Sequence, residues 1–289
     1  SGYNFVSEKD PEVIVHLIRD YYHGDILDAV INACKELKGA YALVVVTSNE
    51  PGRIIATKNS SPLILGIGKD ENFIASDIPA VLDYTKEICA LDENIFCDIT
   101  KNDISLYDNQ KNPVKMNTFH VDWNAEDAEK GEFPHFMLKE IFEQPSAIAN
   151  TLSGRLSGDS FDVNFSPFEL DKEYLDYINT ILIIACGTSY YAGCACKSIL
   201  EAYSCKNVEI KIASEYRYDD VLTNERTFVI VISQSGETAD TLESLRLAKS
   251  KGAKTLTIVN AIGSTITREA DYSIYTHAGP EIAVASTKA

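Results

Sequence analysis

Two apolar runs limit this chain more than any other feature. Thr180 to Ala185 and Phe228 to Ile232 contain no polar alternation. A strand with one wet face alternates in hydropathy, so an unbroken run of this length reads as a parallel strand covered on both faces. Each run ends in small hydroxyl and glycine residues, Cys186-Gly187-Thr188-Ser189 and Ser233-Gln234-Ser235-Gly236-Glu237-Thr238, and each then passes into helical spacing. The first N–H groups of a helix lack an intrahelical partner and lie at the positive end of its dipole. Hydroxyls add donors, and glycine admits a close approach. Two such junctions in one sheet are expected to hold a phosphate without lysine or arginine. The plainer reading of the same residues is helix capping by Ser235 or Thr238, with Glu237 in the first turn.

Absence of a basic footprint matters because the formal net charge is −17. That balance argues against nucleic acid and anionic membrane as partners, while leaving room for a small anion gripped locally. No apolar run is long enough to cross a bilayer, so no membrane partner is expected. The cysteines are odd in number, seven, and no spacing matches a zinc site. They read as reduced thiols of a cytoplasmic protein, most of them small core residues. The histidines form no ligand spacing, and no metal is assigned.

The two halves differ in rhythm. Before Thr118 there are strand candidates at Ala40–Thr47, Arg53–Lys58, Leu63–Ile67, Asn72–Ser76 and Ile104–Tyr107, with helices at Pro11–Tyr22 and Ile26–Leu37. Ala40–Thr47 reads as buried, and Asp10 reads as a helix N-cap ahead of Pro11. Hairpins with segregated helices indicate a layered α+β unit. The polar, acidic stretch ending at Pro134 reads as a linker. The expected organisation is therefore a first unit at 1–118, a linker at 119–134 and a second unit at 135–289. After a helix at His135–Thr151, strand and helix alternate, the mark of a doubly wound parallel sheet, an α/β fold.

Ser233-Gln234-Ser235-Gly236-Glu237-Thr238-Ala239-Asp240-Thr241 and Ala185-Cys186-Gly187-Thr188-Ser189-Tyr190-Tyr191-Ala192-Gly193 resemble the sugar-isomerase (SIS) fold, whose domains bind phosphosugars. Further segments resemble one enzyme family, the glutamine–fructose-6-phosphate aminotransferases. They are His135-Phe136-Met137-Leu138-Lys139-Glu140-Ile141-Phe142-Glu143-Gln144-Pro145, Ser214-Glu215-Tyr216-Arg217-Tyr218 and the terminal Glu281-Ile282-Ala283-Val284-Ala285-Ser286-Thr287-Lys288-Ala289. In the first half, Gly2-Tyr3-Asn4-Phe5-Val6-Ser7-Glu8-Lys9-Asp10 and Glu71-Asn72-Phe73-Ile74-Ala75-Ser76-Asp77 resemble the later part of that family's N-terminal-nucleophile-type glutaminase domain.

The resemblance implies a parent enzyme that makes glucosamine 6-phosphate from fructose 6-phosphate and glutamine, as a homodimer through its SIS half and with no cofactor. It assigns fructose 6-phosphate to Cys186, Gly187, Thr188, Ser189, Ser233, Gln234, Ser235, Thr238, Val284 and Ser286. Asp10 matches the aspartate that binds the glutamine α-ammonium, although its neighbours Lys9, Pro11 and Glu12 depart from the family's Thr-Asp-Thr-Glu-like run. The family's leading catalytic cysteine is not found here, nor is the second SIS domain, with its glutamate base, ring-opening histidine and Schiff-base lysine. The chain is thus expected to be an internal fragment, with no catalytic residue of its own, that binds the sugar phosphate without turning it over. Lys288 is expected near the substrate region or at a helix start, and Glu215 as a partner of Arg217. The reading from another class is a non-catalytic SIS-domain sensor of a sugar phosphate.

Overall fold

The computed structural model describes residues 3, 5–7, 10–121, 129–156, 163–165, 170–219, 222–284 and 286–289. They form two compact units, Ser1–Asp122 and Trp123–Ala289.

In the first unit, α1 (Asp10–Tyr21) and α2 (Ile26–Cys34) lie on a five-stranded sheet. Its order is β1 (Tyr41–Val46), β2 (Ile54–Asn59), β6 (Phe96–Ile99), β7 (Ile104–Tyr107) and β8 (Pro113–Val114). A four-stranded sheet follows, ordered β4 (Asn72–Ala75), β3 (Ile64–Ile67), β5 (Glu87–Ala90) and β9 (Phe119–His120). Every strand pair in both sheets is antiparallel. Asp25 caps α2 by accepting from the Leu27 N–H, and the apolar stripe Ile26, Leu27, Val30 and Ile31 then buries against Ile55 and Phe96. The opposite face of that sheet, through Ala56, Cys97, Ile99 and Leu106, packs on Leu63, Leu65, Cys89 and Leu91. The layers are therefore helix, sheet, sheet.

Two expectations change here. β1 is not buried: Val44 and Val46 are 52% and 69% exposed. Val44 shares a face with its register partner Ala56, which lies between the sheets. The second sheet does not extend over β1, an edge strand, so an apolar run that looked doubly covered has one open face. The segment expected as a linker begins with β9, which pairs with β5. A two-residue strand carries too little pattern to be seen without its partner.

The second unit begins with α3 (Phe136–Leu152) and α4 (Lys172–Tyr177). Strand and helix then alternate: β10 (Thr180–Ala185), α5 (Gly187–Ser204), β11 (Asn207–Ile212), α6 (Ala213–Tyr216), β12 (Thr227–Ser233), α7 (Ala239–Ser250), β13 (Lys254–Val259), α8 (Thr265–Glu269) and β14 (Tyr272–Tyr275). The sheet is wholly parallel, in the order β11-β10-β12-β13-β14. Alternate residues of β10 serve opposite faces. Leu182 and Ile184 join Leu242, Leu245 and Ala248 of α7 in the main core, while Ile181 and Ile183 join Val208 and Leu200. This is the α/β fold expected from the unbroken runs.

The thiols depart from expectation. Only Cys89 and Cys97 are buried; Cys34 and Cys186 are half-buried, and Cys194, Cys196 and Cys205 are exposed. Two of the exposed ones lie on the outer face of α5 and the third caps its C-terminus in the left-handed region, at φ 54°. Burial raises the Cys97 thiol far above its ordinary range.

Candidate functional site

The strand order builds a crevice. β10 connects to β11 on one side and lies beside β12 on the other, in register through Ala185 and Ile232. In an open α/β sheet the connections diverge at such a point, and the carboxyl ends of the two strands frame a binding site. α5 leaves from one strand and α7 from the other, so two sets of unpartnered helix N–H groups meet there.

A contact joins them. The Thr241 hydroxyl, in the first turn of α7, lies 3.9 Å from the Cys186 sulfur, the N-cap position of α5. Cys186 is extended (φ −119°, ψ 158°), and Gly187 follows at φ 57°. That positive φ turns the chain from strand to helix, and glycine adopts it without a Cβ penalty. Thr188 is exposed and Ser189 half-buried in the first turn of α5.

The second turn is braced from below. The Ser233 hydroxyl accepts from the Gly236 N–H at 3.0 Å, and the Ser235 hydroxyl accepts from the Glu237 N–H at 3.2 Å. The Gln234 carbonyl accepts from the N–H groups of Asn260 and Ala261 at 3.1 and 3.2 Å, and Gly236 O accepts from Ile266 N–H at 3.1 Å. Gly236 stands at φ 67°, and a Cβ there would lie 2.2 Å from the Ser264 hydroxyl oxygen. Only glycine fits both the conformation and the space. Ser233 is buried and shapes the turn from inside, whereas Gln234 and Ser235 are half-buried and Thr238 is exposed at the mouth. Thr238 occupies the N-cap of α7 without a side-chain capping bond.

The carboxylates sit differently from their expected places. Glu237 precedes the N-cap of α7 and accepts from the Thr265 N–H at 2.7 Å, so it holds the start of α8 rather than the first turn of α7. Arg217 pairs with Asp240 at 2.8 Å, not with Glu215, and this hydrogen bond holds the guanidinium above its ordinary range. α6 packs beside α7, which brings the arginine to the first helical turn instead of to its own.

The terminal segment belongs to α3. Lys288 is 4% exposed in its side chain and pairs with Glu143 at 2.5 Å. Ser286 donates its N–H to Glu281 at 2.7 Å and stands at φ 64°, and the Val284 carbonyl accepts from the Thr287 hydroxyl at 2.7 Å. Asp10 opens α1, and its side chain lies outside the described residues.

Asn260 is the site residue that sequence reasoning did not single out. Its N–H meets the Gln234 carbonyl, its side-chain oxygen accepts from Thr276 and the Ala278 N–H, and its amide donates to Gly279 O at 2.7 Å. It ties the braced turn to the chain leaving β14. A polar residue directly after an apolar strand is the one signal that could have drawn attention to it.

Residues 175–289 match the family described as SIS domain. Over 288 residues the chain is 51% identical to the glutamine–fructose-6-phosphate aminotransferase (isomerizing) of Clostridium tetani, covering 100% of this chain and 47% of that protein. The corresponding Aquifex aeolicus protein is 50% identical over 287 residues, covering 99% of this chain and 47% of its own length. Among solved structures, the C-terminal domain of glucosamine-fructose-6-phosphate aminotransferase from Francisella tularensis is 43% identical, with a TM-score of 0.49, over 55% of this chain and 44% of that one. The chain spans about half the length of the curated relatives it matches.

Proposed function

From a chain that carries a SIS domain and is similar from end to end to part of the glutamine–fructose-6-phosphate aminotransferases, we propose that the second unit holds the phosphate of fructose 6-phosphate in the crevice between β10 and β12. Cys186, Gly187, Thr188 and Ser189 line one side; Ser233, Gln234, Ser235 and Thr238 line the other. Val284 and Ser286 approach the sugar. The observation that carries this reading is the contact of Thr241 with Cys186, which joins two helix N-termini at one topological switch point.

The proposal extends to the parent protein. Its glutaminase half releases ammonia from glutamine, leaving glutamate. Ammonia adds to the C2 carbonyl of the open-chain sugar, water leaves, and isomerisation gives glucosamine 6-phosphate. The first unit is read as part of that glutaminase half, with Asp10 a remnant of its glutamine site. Its helix–sheet–sheet layering supports this. Similarity running through both units favours the enzyme over a free-standing SIS sensor. The chain by itself is read as a binder that does no chemistry: Glu237, the carboxylate of the braced turn, is committed to the Thr265 N–H. The protein is read as cytoplasmic, which suits seven free thiols. It is read as a homodimer through its second unit, where Tyr191, Ile199 and Tyr203 of α5 are 69%, 57% and 88% exposed.

Calorimetric titration with fructose 6-phosphate tests the site. Ser235→Ala removes a hydroxyl facing an anion and is expected to weaken binding by about 1–3 kcal/mol. Unchanged affinity would remove Ser235 from the site. Ammonia release from glutamine by the pure chain would overturn the reading of it as a binder alone.

A further inference from the structure

Beyond β14 the chain continues as a strap, described at residues 281–284 and 286–289, that carboxylates hold in place of strand pairing. Glu281 folds the strap on itself: its side chain accepts the N–H groups of Ser286, Lys288 and Ala289 at 2.7, 2.8 and 3.3 Å. Glu140 on α3 accepts those of Ile282 and Ala283 at 2.7 and 2.9 Å through one oxygen. Glu143 takes the Lys288 ammonium, and Gln144 donates to Thr287 O at 2.7 Å. Glu140, Glu143 and Gln144 are spaced i, i+3 and i+4, so one face of α3 supplies all three.

The root of the strap lies by the crevice. Asn260 bonds to Gln234 through its backbone and to Thr276, Ala278 and Gly279 through its side chain. β14 ends on the same carboxyl edge as β10 and β12, because the sheet is wholly parallel.

Glu140 is an expensive way to hold a loop. It is 2% exposed, and among the described residues its second carboxylate oxygen has no hydrogen-bond partner. Burying a carboxylate is costly, and a well-packed apolar residue would avoid that cost. What it provides is a charge-assisted grip on two adjacent N–H groups. That grip settles the backbone one residue before Val284, and Ser286 is held at φ 64°, a conformation a serine keeps only when its surroundings impose it.

We propose that Glu140 is a positioning residue: through the strap it sets Val284 and Ser286 against the sugar, so that the latch on α3 distinguishes a hexose phosphate from phosphate alone. The inference rests on the reading proposed above, both that the crevice binds phosphate and that Val284 and Ser286 approach the sugar. The phosphate grip belongs to the two junctions and the sugar selectivity to the latch, so the two are separable.

The test is calorimetry of the full chain with inorganic phosphate and with fructose 6-phosphate. The unmodified chain is expected to prefer the sugar phosphate. Glu140→Gln keeps the shape but gives up the charge; it is expected to weaken fructose 6-phosphate about tenfold while phosphate changes less than about twofold. Glu143→Gln, which loosens Lys288 at a more exposed position, is expected to act in the same direction more weakly, and it serves if Glu140→Gln does not fold. Equal losses for both ligands in both variants, or no loss in either, would overturn the latch. An unmodified chain that binds phosphate without preferring the sugar phosphate would overturn the latch and leave the crevice standing. One that binds neither would overturn the crevice first and the latch with it.

Discussion

α5 and α7 begin at the two turns of the proposed crevice, on opposite sides of one sheet, and they are built differently. α7 has 12 residues and buries Thr241, Leu242, Ser244, Leu245 and Ala248 in the main core. α5 has 18 residues and buries only Gly193, whose missing side chain lets the helix sit close to Ile183. The turn before α7 is bonded to Asn260, Ala261 and Ile266, whereas Gly187, the first residue of α5, has open space where a Cβ would go. A phosphate grip needs only the first turn of each helix. How deeply the helix body packs is a separate matter, which decides stability and not the direction of the N–H groups. Half of the crevice therefore stands on a braced core, and half on a lightly covered face.

One large expected effect separates the two glycines. Gly236→Ala meets the Ser264 Cβ at 2.7 Å as well as its oxygen, and neither a short side chain nor the Ile266 methyl 2.8 Å away can yield far. A loss of about 3–4 kcal/mol is expected in urea unfolding of the chain, overpacking added to backbone strain. Gly187→Ala carries the strain alone, about 1 kcal/mol. Equal losses would erase the contrast between a braced and an open turn.

Truncation of the helix bodies sharpens the same contrast. Leu245 is 0% exposed and faces Val229 and Val231, so Leu245→Ala is expected to cost about 2–5 kcal/mol. Ile199 is 57% exposed, and Ile199→Ala should stay within about 0.5 kcal/mol. A large loss from Ile199→Ala in a dilute monomer would show that α5 packs more tightly than its exposure indicates.

The smallest effect concerns charge. Burial pushes the Asp271 carboxyl up, but the N–H and hydroxyl of Thr255 and the ammonium of Lys249 together hold it below its ordinary value. Lys249 lies in the last turn of α7, 3.1 Å from Asp271, so this pair tethers the braced helix. A carboxylate with a lowered folded pKa stabilises above its unfolded value, near about 4, and that contribution is lost as pH falls through the folded pKa. Thermal melts from pH 7 to pH 3 should show an acid decline that Asp271→Asn flattens. The effect should be no more than about 1 kcal/mol, because the pair is partly exposed and screened. An acid limb unaltered by Asp271→Asn would take the tether away from α7.

The strands legible in the sequence were those whose pattern is complete within themselves. Thr180–Ala185 and the run from Phe228 carry enough apolar residues to declare both faces buried, and they form β10 and β12. β5 (Glu87–Ala90) and β6 (Phe96–Ile99) did not stand out, because four residues with a charge among them become strands only through the partners they find. Val44 and Val46 mark the opposite failure. Their hydropathy was plain, but the reach of the facing sheet was not.

The hydroxyl and glycine turns were likewise evident from composition and position. Their meeting was not, since it depends on β11 adding to one side of β10 and β12 to the other. Arg217 shows how this redirects a side chain: Glu215 is nearer in sequence, but α6 lies on α7, and the partner is Asp240. Local propensity and periodicity act over a few residues, so the sequence by itself determined the strands, the turns and the α/β class. Bonds such as those from Glu140 to Ile282 and Ala283, separated by 142 and 143 residues, follow only from packing. The tertiary structure therefore decided which turns share a crevice and what holds the strap beside it.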